Sequence, residues 1–110
     1  MDAATVRIRL ESMLAELDRS IRVLRGDPPT GWDRSAADAG SVLTDTDRNQ
    51  AMLEAATDQR RAVLRALRRL EDGVYGRCAD CGGAVPDGRL EARPEAARCV
   101  QCQARRERRR

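Results

Sequence analysis

Two matched cysteine pairs, Cys78-Ala-Asp-Cys81 and Cys99-Val-Gln-Cys102, constrain this chain more than any other feature. Seventeen residues separate them, a C-x2-C-x(15–20)-C-x2-C spacing of the kind that builds a tetrahedral metal site. Each C-x2-C turn aims two sulfurs at one point. Four thiolates are soft ligands that suit Zn²⁺, and together they fill its coordination shell. A filled shell has no room for a bound water. One Zn²⁺ per chain, held by Cys78, Cys81, Cys99 and Cys102, is therefore expected to be structural and not catalytic. Two disulfides are the competing arrangement. No N-terminal stretch joins a charged region to an apolar run and a small-residue cleavage site, and no run of about 18 apolar residues is present. The expectation is thus a reducing, cytoplasmic setting with no membrane association, in which thiols stay reduced. Neither pair lies in a strand–helix–strand pattern of the kind a redox dithiol uses.

The remaining residues offer little for a bulky core. The chain has 110 residues with one Trp, one Tyr and no Phe, whereas large cores lean on aromatic area. Charged residues make up 35%, and Ala, Leu and Arg are abundant, which suits an exposed long helix or coiled coil. All 21 basic residues are Arg, and His is absent. Without His the commonest general base and the Ser-His and Cys-His nucleophile pairs are missing. There is no glycine-rich phosphate loop and no open metal position, so no enzymatic activity is expected. A formal net charge of +3 is too small to demand a polyanionic partner.

Two heptad seams organise the first part of the chain. Leu10, Leu14, Leu17, Ile21 and Leu24 step by 4, 3, 4, 3, which predicts an amphipathic helix over 2–25. Gly26 and then Asp27-Pro28-Pro29 stop it. Residues 27–40 are rich in Pro, Gly, Asp and Ser and read as a loop with one large apolar side chain, Trp32. A second helix is expected to begin between Ser35 and Thr44 and to run to Asp72, where Gly73 ends it. Its seam is Leu53, Ala56, Arg60, Val63, Leu67 and Leu70. Two seams joined by a short loop imply an antiparallel hairpin. The fold class expected is mainly α: an antiparallel helical hairpin (coiled coil) over 1–72, on a small four-cysteine zinc-finger base with a basic, C-terminal helical tail over 73–110. Within that base, 73–102 reads as the zinc module and 103–110 as the tail.

The segments Leu70-Glu-Asp-Gly-Val-Tyr-Gly-Arg-Cys78-Ala-Asp-Cys81-Gly, Arg89-Leu-Glu-Ala-Arg-Pro94 and Cys99-Val-Gln-Cys102 closely resemble the DksA/TraR family of bacterial zinc-finger transcription regulators. The likeness is strong over about the last 40 residues and architectural over the hairpin. It implies a regulator that binds RNA polymerase at its secondary channel, pointing the hairpin tip toward the active centre to modulate initiation, in many members together with ppGpp. It implies no sequence-specific DNA contact and a monomer. Tip residues in the best-known members follow D-x-x-D-x-A. Counting back from the first cysteine places Asp38 at the second aspartate, Ser35 at the first and Gly40 at the alanine, with Asp33 two residues before Ser35. Arg93 matches the arginine of ppGpp-binding members, while Ala62 and Gln103 lie near their lysine positions. Relative to longer members, the chain begins at the hairpin helix without an N-terminal globular addition.

Several residues carry two readings. Asp38 either presents a carboxylate at the tip or favours the positive end of a helix. Trp32 either clamps the loop or contacts a partner. The Arg-rich tail is either a solvated terminus or a contact for an acidic or phosphate-bearing partner. Two other functions remain open on these residues: a small nucleic-acid-binding zinc-finger protein, for which Tyr75 is the finger's one stacking aromatic, and a coiled-coil adaptor working through its seam.

Overall fold

The computed structural model describes residues 2–26 and 42–109, with backbone alone for 42–46. The expected loop at 27–40, with Trp32, Asp33, Ser35, Asp38 and Gly40, lies outside the described residues. Four helices are present among those described: α1 (Ala3–Leu24), α2 (Val42–Glu71), α3 (Asp87–Ala92) and α4 (Val100–Arg108). No strand appears among them; a single antiparallel bridge joins Arg77 and Ala84.

α1 ends where the glycine signal stands. Gly26 takes φ 92°, and its N–H bonds the carbonyl of Val23. α2 closes more tightly. The N–H of Gly73 bonds Leu70 O and that of Val74 bonds Arg69 O, with Gly73 at φ 74°, the full Schellman turn. Glycine adopts this left-handed geometry without the Cβ penalty. At about 1.5 Å per residue, the 30 residues of α2 form a rod of about 45 Å.

α1 and α2 pack antiparallel. Val6 and Leu10 meet Val63 and Ala66 in one buried cluster, and farther along Asp18 reaches Arg60. Met13, Leu14, Leu17, Leu67, Leu70 and Tyr75 are partly buried against that cluster. The buried cluster sits near the finger, with Leu10 and Val63 fully buried; farther along the expected seam Leu14 and Leu17 are half-buried and Ile21 is buried again outside that cluster. Two residues outside the expected seam, Val6 and Ala66, are among the most buried. Arg60, a charge at a seam position, is accommodated by Asp18 at 2.6 Å across the hairpin. Both groups are about 40% exposed, so the pair contributes at most about 1 kcal/mol.

The helix expected in the tail begins earlier, at Val100, and contains Cys102. Cys99 sits in extended backbone at its N-cap, so one helix carries the last cysteine and continues directly into the arginines.

Candidate metal centre and adjoining cleft

The first cysteine pair is held by a hairpin-like loop. Cys78 N–H bonds Gly83 O at 2.7 Å, Gly82 N–H returns to Cys78 O at 3.0 Å, and Val85 N–H bonds Gly76 O at 2.7 Å. Gly82 takes φ 75°, which turns the chain back toward Cys81. The second pair is presented by the start of α4, and Ala79 N–H to Ala97 O (2.8 Å) stitches the two loops together. Arg98 bridges them again through Asp80 at 3.0 Å, while Arg89 donates to the carbonyl of Arg98 at 2.9 Å.

These bonds bring the four sulfurs within 4.8 Å of one another. Cys81 and Cys99 Sγ are 4.0 Å apart, far beyond the roughly 2.05 Å of a disulfide. A tetrahedron with metal–sulfur bonds of about 2.3 Å has sulfur–sulfur edges of about 3.8 Å, so the arrangement is a slightly expanded form of a closed tetrathiolate site. Cys78 and Cys102 are buried, Cys99 is half-buried and Cys81 is exposed. Backbone N–H groups of Cys81, then of Cys99 and Asp80, point at the Cys78 sulfur and, against burial, hold its thiol down at about 6. The Cys102 thiol is pushed up to about 12, first by its hydrogen bonds with Cys99 and Cys78 and then by burial. The donor set therefore includes a sulfur poised as a thiolate and has the softness and count that zinc requires. All four expected ligand residues come together.

A small finger core supports them: Cys78, Val85, Leu90 and Cys102, with Tyr75, Ala96 and Cys99 packed against it. Tyr75 also packs on the hairpin cluster, so its ring spans both cores. Its hydroxyl donates to Pro94 O at 2.8 Å, and burial raises its pKa. The one finger aromatic open to the nucleic-acid reading is thus packed against both cores and hydrogen-bonded within the protein. Further ties run from the hairpin: Arg9 donates to Glu91 O at 2.9 Å, and Arg69 donates to Arg77 O and, at 3.5 Å, to Ala97 O.

Residues 73–108 match the prokaryotic dksA/traR C4-type zinc finger. The chain belongs to the DksA/TraR zinc-finger family. Its cofactor is accordingly one structural zinc ion. Family relatives include General stress protein 16O of Bacillus subtilis, 38% identical over 79 residues, which are 72% of this chain and 48% of that protein. The RNA polymerase-binding transcription factor DksA of Caulobacter vibrioides is 45% identical over 76 residues, 64% of this chain and 51% of that one. The chain thus spans about half the length of the curated relatives it matches. The solution structure of the DnaK suppressor protein from Agrobacterium tumefaciens shares the fold at TM-score 0.66 and 24% identity, over 94% of this chain and 93% of that one.

Beside the finger lies a feature that spacing alone did not reveal. α2, the segment after α3, and α4 enclose a cleft of about 420 Å³ whose lining includes Arg65, Arg89, Arg93 and Arg98 together with Ala62 and Gln103. Arg93 is therefore joined with Ala62 and Gln103 in one lining, and Arg65 adds a cation the motif did not single out. Only tertiary packing could reveal this, because Ala62 and Gln103 are 41 residues apart.

Proposed function

We propose that this protein is a cytoplasmic, non-enzymatic transcription regulator that binds RNA polymerase as a monomer and places its hairpin tip in the secondary channel to modulate initiation, without sequence-specific DNA binding. The observation that carries the proposal is the joint itself: a DksA/TraR finger clamped by Tyr75, Arg9 and Arg69 to the end of a two-helix rod. Supporting it, the Caulobacter relative is named for RNA polymerase binding. A rod two helices thick, each helix about 10–12 Å across, is a shape that can enter a narrow channel. Zinc on Cys78, Cys81, Cys99 and Cys102 would lock the base from which that rod projects.

In this reading Asp38 presents the tip carboxylate, with Ser35, Asp33 and Gly40 around it. A carboxylate there would act on Mg²⁺ or its oxygen ligands at the polymerase centre. Arg93 would face ppGpp in the basic cleft, where guanidinium groups suit bidentate phosphate contact. Ala62 and Gln103 add no charge there, so the alarmone's effect would be modest.

The test pairs competition binding to RNA polymerase with transcription in vitro. Asp38→Asn should leave affinity nearly intact and weaken the effect on transcription, and Ser35→Asp should strengthen it. Unchanged transcription by Asp38→Asn at saturating concentration would defeat the tip role. Failure to bind polymerase at all, alongside a DNA shift that collapses as salt rises, would defeat the whole proposal.

A further inference from the structure

The arginines at the C-terminus have no partner in the function proposed above, and although they are exposed, three of them gather on one side. α4 carries Cys102 and, one turn on, Arg105 and Arg106, with Arg109 at its C-cap a further turn along. Cys102 and these three arginines line one cavity of about 430 Å³ on the metal-site side of the helix, together with Asp80. The helical geometry explains why. At about 100° per residue, positions 102, 105, 106 and 109 fall within one arc, whereas 108 falls outside it. Arg108 does not line the cavity.

The chemistry of the site supplies the reason for such a cluster. Four thiolates around one Zn²⁺ leave about two net negative charges on the centre. Backbone N–H groups of Cys81, Cys99 and Asp80 converge on the Cys78 sulfur. Cys102 sits at another corner, on α4 itself. Asp80 adds a carboxylate to the cavity, and Arg98 already neutralises it at 3.0 Å. Arg106 also lines the opening toward α2 and is shared between the two sides. Arg105 and Arg109 line this cavity and not that second opening, and neither forms an ion pair among the described residues.

We propose that Arg105 and Arg109 are counter-charges of the tetrathiolate centre: they raise its zinc affinity, so the basic tail is an electrostatic part of the metal site. The inference rests on the four-cysteine zinc assignment and adds to it a role for residues outside the ligand set. It also links two properties of the chain, because whatever acidic surface engages the tail would compete with the zinc centre for the same two guanidinium groups.

The experiment is a zinc competition against a chromophoric chelator on the full-length protein. Wild type is compared with Arg105→Gln/Arg109→Gln, with Arg105→Lys/Arg109→Lys, and with Arg108→Gln as a charge-loss control on the same helix. At about 20 mM salt the double glutamine variant should bind zinc roughly three- to tenfold more weakly, as expected for two charges acting through a partly aqueous path. At about 0.5 M salt the Debye length is shorter than the helix turn, and the difference should shrink to within about twofold. The double lysine variant should stay near wild type, and Arg108→Gln within about twofold. Circular dichroism of each zinc-loaded variant checks that α4 and the finger remain folded. A loss in the double glutamine variant no larger than that of Arg108→Gln, or one that persists unchanged at high salt, overturns the inference while leaving the zinc assignment standing. A wild-type protein that binds no zinc would remove that assignment, and the inference with it.

Discussion

Leu10→Ala should cost far more than Leu17→Ala, although both leucines occupy the same seam of α1. Leu10 is 0% exposed and sits in the cluster with Val6, Val63 and Ala66. Truncating a fully buried leucine removes its transfer energy and leaves a cavity, about 2–5 kcal/mol together. Its complete burial among Val6, Val63 and Ala66 argues for about 3 kcal/mol here, since two packed helices collapse poorly into the gap. Leu17 is only half-buried. It already loses part of its area to water, and water can enter the space it vacates, so about 1–1.5 kcal/mol is expected. For a chain of this length, 1 kcal/mol moves the melting temperature by about 4–8 °C. Leu10→Ala should therefore lower Tm by about 12 °C or more and Leu17→Ala by less than half of that. The assay is far-UV circular dichroism of the zinc-loaded proteins, by temperature and by urea, with the urea slope checked for constancy so that the shift reads as stability. Equal losses for the two variants, or a larger loss for Leu17→Ala, would refute a core concentrated at the finger end of the hairpin.

Three further outcomes follow from the geometry. Chelation of zinc should abolish the finger's fold and also loosen the near end of the hairpin, because Tyr75 packs on both cores; metal analysis with circular dichroism checks this, and two disulfides in freshly purified protein would count against it. Tyr75→Phe keeps the ring and removes the bond to Pro94 O, for a loss of about 1 kcal/mol. Burial raises the Tyr75 pKa above 10.0, so its folded form holds the proton more tightly than the unfolded chain; that share of stability is full below about pH 10 and is lost as pH rises through the folded value, a decline Tyr75→Phe should flatten in alkaline unfolding. A double-mutant cycle on Asp18→Asn and Arg60→Gln should give a coupling of about 0.2–1 kcal/mol that fades with salt, and a coupling above about 2 kcal/mol would mean the pair is more buried than it stands.

Patterns that repeat along the chain are legible in the sequence itself. The 4-3 spacing of leucines, the glycines at 26 and 73 and the paired cysteines each encode local geometry, and the helix ends and the sulfur cluster follow them. Two of the most buried residues do not stand out in those patterns, for simple reasons. Val6 extends the α1 seam by one more step of four, and Ala66 lies one position off the α2 seam, beside Leu67, although its small size lets the helices approach. α3 falls on the run Arg89-Leu-Glu-Ala-Arg-Pro94, which marks the family but not a helix, because six residues are too few for a periodic signal. The arginine cleft and the cavity beside Cys102 depend on which helices meet. No spacing rule along one chain contains that information.

Arg69 stands in the last turn of α2, and its guanidinium grips Arg77 O and Ala97 O on the two loops that carry the cysteine pairs. Only six residues separate the end of α2 from Cys78, so the rod meets the finger with almost no slack. The hairpin is therefore a lever whose fulcrum is that grip. Over a rod of about 45 Å, a tilt of about 5° at the base displaces the far end by about 4 Å, more than a hydrogen bond's length. Substitutions around Arg69 can thus misaim residues they never touch, and the arc swept by the distal turn is set by a few ångströms of carbonyl geometry at the opposite end of the molecule.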